Sequence, residues 1–139
     1  MIVLDTNALS ELMRPSPDPH FLRWWESMTN QVLHTTSISV AEIELGVERL
    51  PRGRSKELLR TAVSGVFASF SSEILSFDRR SAEAYAQVVV ERTGAGRPID
   101  GFNAQIAAIC RVNQATLVTR NAKDFVGTGI ELLSPWVPD

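Results

Sequence analysis

A single cysteine in 139 residues removes both the internal disulfide and the thiolate zinc site from consideration. That residue, Cys110, lies in the apolar helical stretch Ile106-Ala107-Ala108-Ile109-Cys110, where it reads as a small core residue. Histidine is nearly as scarce. His20 and His34 fall in an amphipathic segment and a strand-like segment, at no spacing that pairs an acid with a base, so a core or surface role suits both. No apolar run approaches the ~20 residues of a membrane span. Met1-Ile2-Val3-Leu4-Asp5 has no signal-peptide character, so no membrane association and a cytoplasmic location are expected. The chain also lacks a Gly-Lys-Ser/Thr phosphate loop. Gly94-Ala95-Gly96 leads into Arg97-Pro98 instead of following a strand, which makes a poor dinucleotide fingerprint. Repeats and low-complexity linkers are absent as well.

What remains is an ordinary globular composition, 44% apolar and 22% charged, expected to fold as one domain over residues 1–139. Strand-like and helical segments alternate. Residues 2–5 read as a short buried strand, and Ala8 to Met13 as a helical turn or two stopped by Pro15 and Pro17. His20 to Met28 forms an amphipathic helix. Val32 to Thr36 is a β-branched strand, Ser39 to Leu50 a helix, and Ser55 to Phe70 another with apolar residues at helical spacing. Ile74 to Phe77 is a third strand. A long helix from Arg80 to about Thr93 is broken by Gly94-Ala95-Gly96-Arg97-Pro98, and a further helix follows Asp100. Thr116 to Thr119 and Ile130 to Leu133 complete about five strands. Strands separated by helices predict a three-layer α/β/α fold around a mainly parallel sheet.

In such a sheet, strand ends and the starts of the following helices share one edge, where ligands bind. Asp5 ends the first strand, Glu42 is placed in the first turn after the second, and Asp100 opens the helix before the fourth. Asn121 and Asp124 follow that fourth strand. Each has a local alternative. Asp5 suits an Asx-turn with Asn7, Ser39-Val40-Ala41-Glu42 suits a capping box, and Asp100 and Asn121 suit helix caps. Jointly, the scattered acids converge on a site for a hard divalent cation, Mg²⁺ or Mn²⁺. Such an ion offsets the repulsion among carboxylates and supports phosphodiester hydrolysis. Asp5 and Asp100 are then direct metal ligands, while Glu42 completes the site or orients the attacking water.

Four segments carry a resemblance over nearly the whole chain. They are Val3-Leu4-Asp5-Thr6-Asn7, Ser39-Val40-Ala41-Glu42-Ile43-Glu44-Leu45-Gly46, Ile99-Asp100-Gly101-Phe102, and Leu117-Val118-Thr119-Arg120-Asn121 with Asp124-Phe125. In this order they resemble the PIN-domain ribonucleases, closely the VapC-type toxins of toxin–antitoxin pairs. The ending Ser134-Pro135-Trp136 is similar to the FitB-like branch. The resemblance implies a PIN-like fold, a metal-dependent endoribonuclease with RNA as substrate, a homodimer, and a cognate VapB-like antitoxin that fills the groove. It places the family's three central acids on Asp5, Glu42 and Asp100, and a residue supporting the metal-site water network on Thr119. The family's fourth acid often follows Thr-Arg, where this chain has Asn121, and Asp124 stands one helical turn later as a possible substitute. Glu44 falls on another helix face and is not assigned.

Asn121 keeps a second reading open, a catalytically weak PIN-fold module that binds RNA or protein. A dehalogenase-type phosphatase would need an acid where Asn7 stands, and a receiver domain would need adjacent acids near the first strand. The net charge of −2 conceals a cluster, Arg49, Arg52, Arg54, Lys56 and Arg60 around Pro51 and Gly53, read either as a solvated turn or as an RNA-contacting rim. Arg120 and Lys123 flank the proposed site and suit RNA phosphates or solvent alike. Adjacent Trp24 and Trp25 cannot share one helix face, so one of them faces a partner or lies beneath a loop.

Overall fold

In the computed structural model, which describes residues 1–70 and 73–136, a five-stranded sheet runs in the order β3-β2-β1-β4-β5 with every neighbouring pair parallel. The strands are β1 (Ile2–Leu4), β2 (Leu33–Thr36), β3 (Ile74–Leu75), β4 (Thr116–Val118) and β5 (Glu131–Leu133). Helices α1 (Thr6–Leu12) and α2 (Pro19–Ser27) join β1 to β2, and α3 (Ser37–Glu48) and α4 (Arg54–Ser69) join β2 to β3. Then α5 (Arg79–Gly94) and α6 (Gly101–Val112) join β3 to β4, and a 3-10 helix (Ala122–Phe125) precedes β5.

Period-two alternation along the central strands builds the three layers. Leu4 and Val118 turn to one face, where they pack with Leu9, Phe21, Ile43, Val47 and Val63 of α1 to α4. Val3 and Leu117 turn to the other, against Val88 of α5 and Ala104, Ala107 and Cys110 of α6. Because both faces are covered, β1 and β4 carry continuous apolar runs. The expected three-layer α/β architecture is therefore what the chain forms.

Several boundaries move, each for a local reason. The first helix starts at Thr6, ahead of the expected Ala8, because the Asp5 carboxylate accepts the Ala8 N–H at 2.9 Å and caps it. The second starts at Pro19, capped by Asp18, with proline in the first turn where its missing N–H costs nothing. The third starts at Ser37 rather than Ser39. Its cap is Thr36, whose Oγ1 accepts the Ser39 N–H at 3.1 Å. The Ser39–Glu42 capping box is thereby overturned, and Glu42 lies in the second turn of α3, not the first. The third strand ends at Leu75, short of the expected Phe77. Trp24 and Trp25 both pack, half-buried, against the α1–α4 core, so neither is left wholly to a partner.

Candidate functional site

All five strands end at one edge of the sheet, and the site is built there. Asp5 emerges directly from β1. Its backbone N–H continues the ladder to the Val118 carbonyl at 3.1 Å, and Thr35 Oγ1 donates to the Leu4 carbonyl at 2.9 Å. The carboxylate is therefore fixed by the sheet on one side and by the start of α1 on the other. It is also buried. Burial dominates its proton affinity and pushes the carboxyl up to about 6. The Thr119 hydroxyl and the N–H groups of Ala8 and Asn7 pull the other way, while the nearby Glu42 carboxylate raises it further.

Glu42 reaches the same edge from α3. Thr6 Oγ1 donates to Glu42 Oε1 at 2.7 Å and lies 3.1 Å from Ser39 Oγ, which in turn lies 3.3 Å from the capping Thr36 hydroxyl. A relay of three hydroxyls thus ties the second acid to the first helix. Thr6 had a sequence signal, since it directly follows Asp5, but its partner is 36 residues away and spacing alone could not supply it.

The remaining expected site residues behave differently. Asp100 caps α6, its Oδ1 accepting the Asn103 N–H at 2.9 Å and its Oδ2 the Asn103 side-chain amide at 2.7 Å. It is exposed, at the start of the helix that leads into β4, with its cap reading realised. Thr119 is fully buried, bonds to Asp5 and accepts the Asn121 N–H at 3.1 Å, so it joins the first acid to the loop after β4. The Asn121 side chain makes no cap hydrogen bond. Asp124 sits in the 3-10 helix, and its carbonyl accepts from Arg92 Nη1 at 2.9 Å.

The structure therefore brings Asp5 and Glu42 together, braces them with Thr6 and Thr119, and holds Asp100 on its own cap. Among the described residues, no three His, Cys, Asp or Glu side chains form one metal-holding group. The donor set nevertheless fits a hard divalent ion, because Mg²⁺ takes one or two carboxylates and keeps several waters. A buried acid beside a second acid is also the environment that such a charge relieves.

Other charged groups are committed elsewhere. In the basic segment, Lys56 Nζ donates to the Glu48 and Leu50 carbonyls at 3.2 Å, and Arg60 pairs with Glu48 at 2.8 Å. These two hold the α3–α4 turn, whereas Arg49, Arg52 and Arg54 are exposed. His20 meets Arg23, and His34 lies 3.4 Å from Glu73, so neither joins the site.

The PIN domain family model matches residues 2–129. Among curated relatives, the plasmid stability protein StbB of Pseudomonas syringae pv. tomato is 34% identical over 98% of this chain and 99% of its own. Toxin FitB of Neisseria gonorrhoeae is 32% identical over 98% and 99%. The VapC ribonuclease Y4jK of Sinorhizobium fredii is 30% identical over 99% of both. Among solved structures, that of FitAB bound to an IR36 DNA fragment superposes with a TM-score of 0.92 at 31% identity, covering 100% of this chain and 98% of that one.

Proposed function

The chain belongs to the PIN-domain family, and from that premise we propose that it is a divalent-metal-dependent endoribonuclease, the toxin of a toxin–antitoxin pair. The observation that carries the reading is the buried Asp5 carboxylate beside Glu42 at the carboxyl edge, in a chain whose near relatives bear the names VapC ribonuclease and toxin. Asp5, Glu42 and Asp100 would hold Mg²⁺ or Mn²⁺. The ion supplies charge neutralisation at the scissile phosphate and an acidified water.

The chain's own residues do the rest. Thr119 and the Ala8 N–H orient the Asp5 carboxylate. Thr6 occupies Glu42 Oε1, so Oε2 is the atom that would either complete the metal site or orient the attacking water. Asn103 holds Asp100 at the rim. Asn121 is an amide where the family often has a fourth acid, which favours one metal over two, and Asp124 is its candidate substitute.

A cleft of about 420 Å³ opens beside Thr6 and Glu42 and runs along the apolar side chains Met13, Ile43, Val47 and Leu59. Its position and lining suit a segment of a VapB-like antitoxin laid across the site. A homodimer and a cytoplasmic location complete the proposal. No helix among the described residues is long and apolar enough to cross a membrane.

The test is cleavage of structured RNAs by purified, antitoxin-free protein. Cleavage is expected with Mg²⁺ or Mn²⁺ and is lost with EDTA and in Asp5→Asn. Cleavage that survives both treatments overturns the metal mechanism. RNA binding without any cleavage would favour the non-catalytic module that Asn121 leaves open.

A further inference from the structure

We propose that Arg120 is a phosphate-binding residue of this site, pre-oriented by the Glu11 carboxylate and the Trp136 ring; the proposal rests on the ribonuclease reading and names a substrate contact within it. An edge that carries Asp5 and Glu42 repels a polyanion, so productive binding calls for a cation whose hydrogen-bond donors are not spent on the protein. Arg120 meets that requirement. It follows Thr119 directly, and because successive residues leave a strand on opposite sides, it departs away from Asp5 toward α1.

There it meets a hub. Glu11 is only 3% exposed. Its Oε1 accepts the Trp136 Nε1–H at 2.7 Å, and its Oε2 accepts from Arg14 Nη1 at 3.0 Å and from the Asp18 N–H at 3.2 Å. The hub gathers the segments that follow β1, β4 and β5 at one edge. Arg120 is tethered to it without being consumed. Its Nη1 lies 3.7 Å from Glu11 Oε1, beyond hydrogen-bond range, and its Cζ lies 5.7 Å from the Trp136 ring centroid. Asp18 also feels the Arg120 charge, but Asp18 Oδ1 already accepts the N–H groups of His20 and Phe21.

The Arg120 side chain is 52% exposed, and among the described residues its guanidinium donates no hydrogen bond to the protein. Arg49, Arg52 and Arg54 are exposed too, but on the α3–α4 turn, and the better-ordered arginines are spent on the protein. Arg92 donates to three carbonyls, Arg60 to Glu48, and Arg111 to Glu91. A guanidinium held by a ring and by an ion pair at 3.7 Å, and donating no hydrogen bond to the described residues, is prepared for bidentate binding of a phosphate. Glu11 and Trp136 are positioning residues in this scheme.

The experiment measures steady-state cleavage of an RNA oligonucleotide, with Mg²⁺ or Mn²⁺, across a series of KCl concentrations. Arg120→Gln is expected to raise KM about tenfold with kcat little changed, the size of one charge-assisted contact. Loss of one phosphate contact should also flatten the slope of log(kcat/KM) against log[KCl] by about 0.7. Arg120→Lys keeps the charge and restores the slope but only part of the KM. Trp136→Phe keeps the ring and loses the donor to Glu11, so it raises KM with the slope intact. A wild-type KM and salt slope in Arg120→Gln overturn the proposal while leaving the nuclease reading standing. So does a raised KM with an unchanged slope and a lowered melting temperature, the signature of a purely structural role. Failure of the wild-type protein to cleave RNA under any of these conditions sinks both.

Discussion

At the scale of single residues, burial sets the chemistry. Asp5 is held by the sheet and by its own cap in a place where its negative charge is poorly solvated, and its carboxyl titrates at about 6 instead of the ordinary 3.8. The folded state therefore binds that proton more tightly than the unfolded chain, and metal-free stability falls as pH rises from about 4 to about 6. A displacement of that size corresponds to roughly 3 kcal/mol at neutral pH. Asp5→Asn retains a good cap and removes the charge. In EDTA at pH 7.5 it should melt several degrees above the wild type, with the gap closing by pH 4. Thermal melts across that range check this, and a gap that does not vary with pH contradicts it. Cys110 gives a simpler case. Burial first, and then the Asp5 charge, push its thiol up to about 12. The native protein should leave it unlabelled by iodoacetamide at pH 8, while the denatured protein is labelled fully, as mass spectrometry would read.

At the scale of elements, placement was far more legible than termini. Apolar runs marked β1 and β4, and the breaker residues 94–98 separated α5 from α6 correctly. The start of α3 is hidden in the sequence because Thr36 ends a strand-like run, Leu33-His34-Thr35-Thr36, while Ser39 and Glu42 imitate a capping box. In the folded chain Thr36 is both the last strand residue and the cap. The two readings differ measurably. Thr36→Ala should cost about 1–2 kcal/mol of stability through the lost cap. Glu42→Ala should cost less, because Glu42 satisfies no backbone N–H of α3: it loses the Thr6 hydroxyl bond, worth about 0.5–1 kcal/mol, and at the same time removes a charge that repels Asp5. Urea unfolding of both variants decides it, and the reverse ranking would restore the capping box.

At the scale of the whole molecule, the geometry of a parallel sheet puts Asp5 at the end of β1 and Glu42 on the helix that follows β2, at one edge, whereas Asp100 opens the helix before β4, which follows another helix, so the same rule does not fix its position. What topology could not supply is side-chain pairing across long separations. Glu11 and Trp136 are 125 residues apart, and nothing in either neighbourhood announces the other. The shared edge has a thermodynamic consequence that does not depend on knowing the RNA. If the acids hold a divalent ion, binding stabilises the folded chain alone, by about 2.7 kcal/mol at a hundredfold excess over Kd, and the melting temperature should climb with Mn²⁺ or Mg²⁺ concentration. The ion requires ionised carboxylates and so competes with the Asp5 proton. With that carboxyl at about 6 in the metal-free protein, the gain should be large at pH 7.5 and small at pH 5. This is the opposite trend to the metal-free stability of the same residue. Asp5→Asn and Glu42→Gln should each remove most of the gain at pH 7.5, whereas Asp124→Asn should remove it only if Asp124 substitutes for the fourth acid. An undiminished gain in Asp5→Asn would place the ion elsewhere on the molecule and detach Asp5 from the metal.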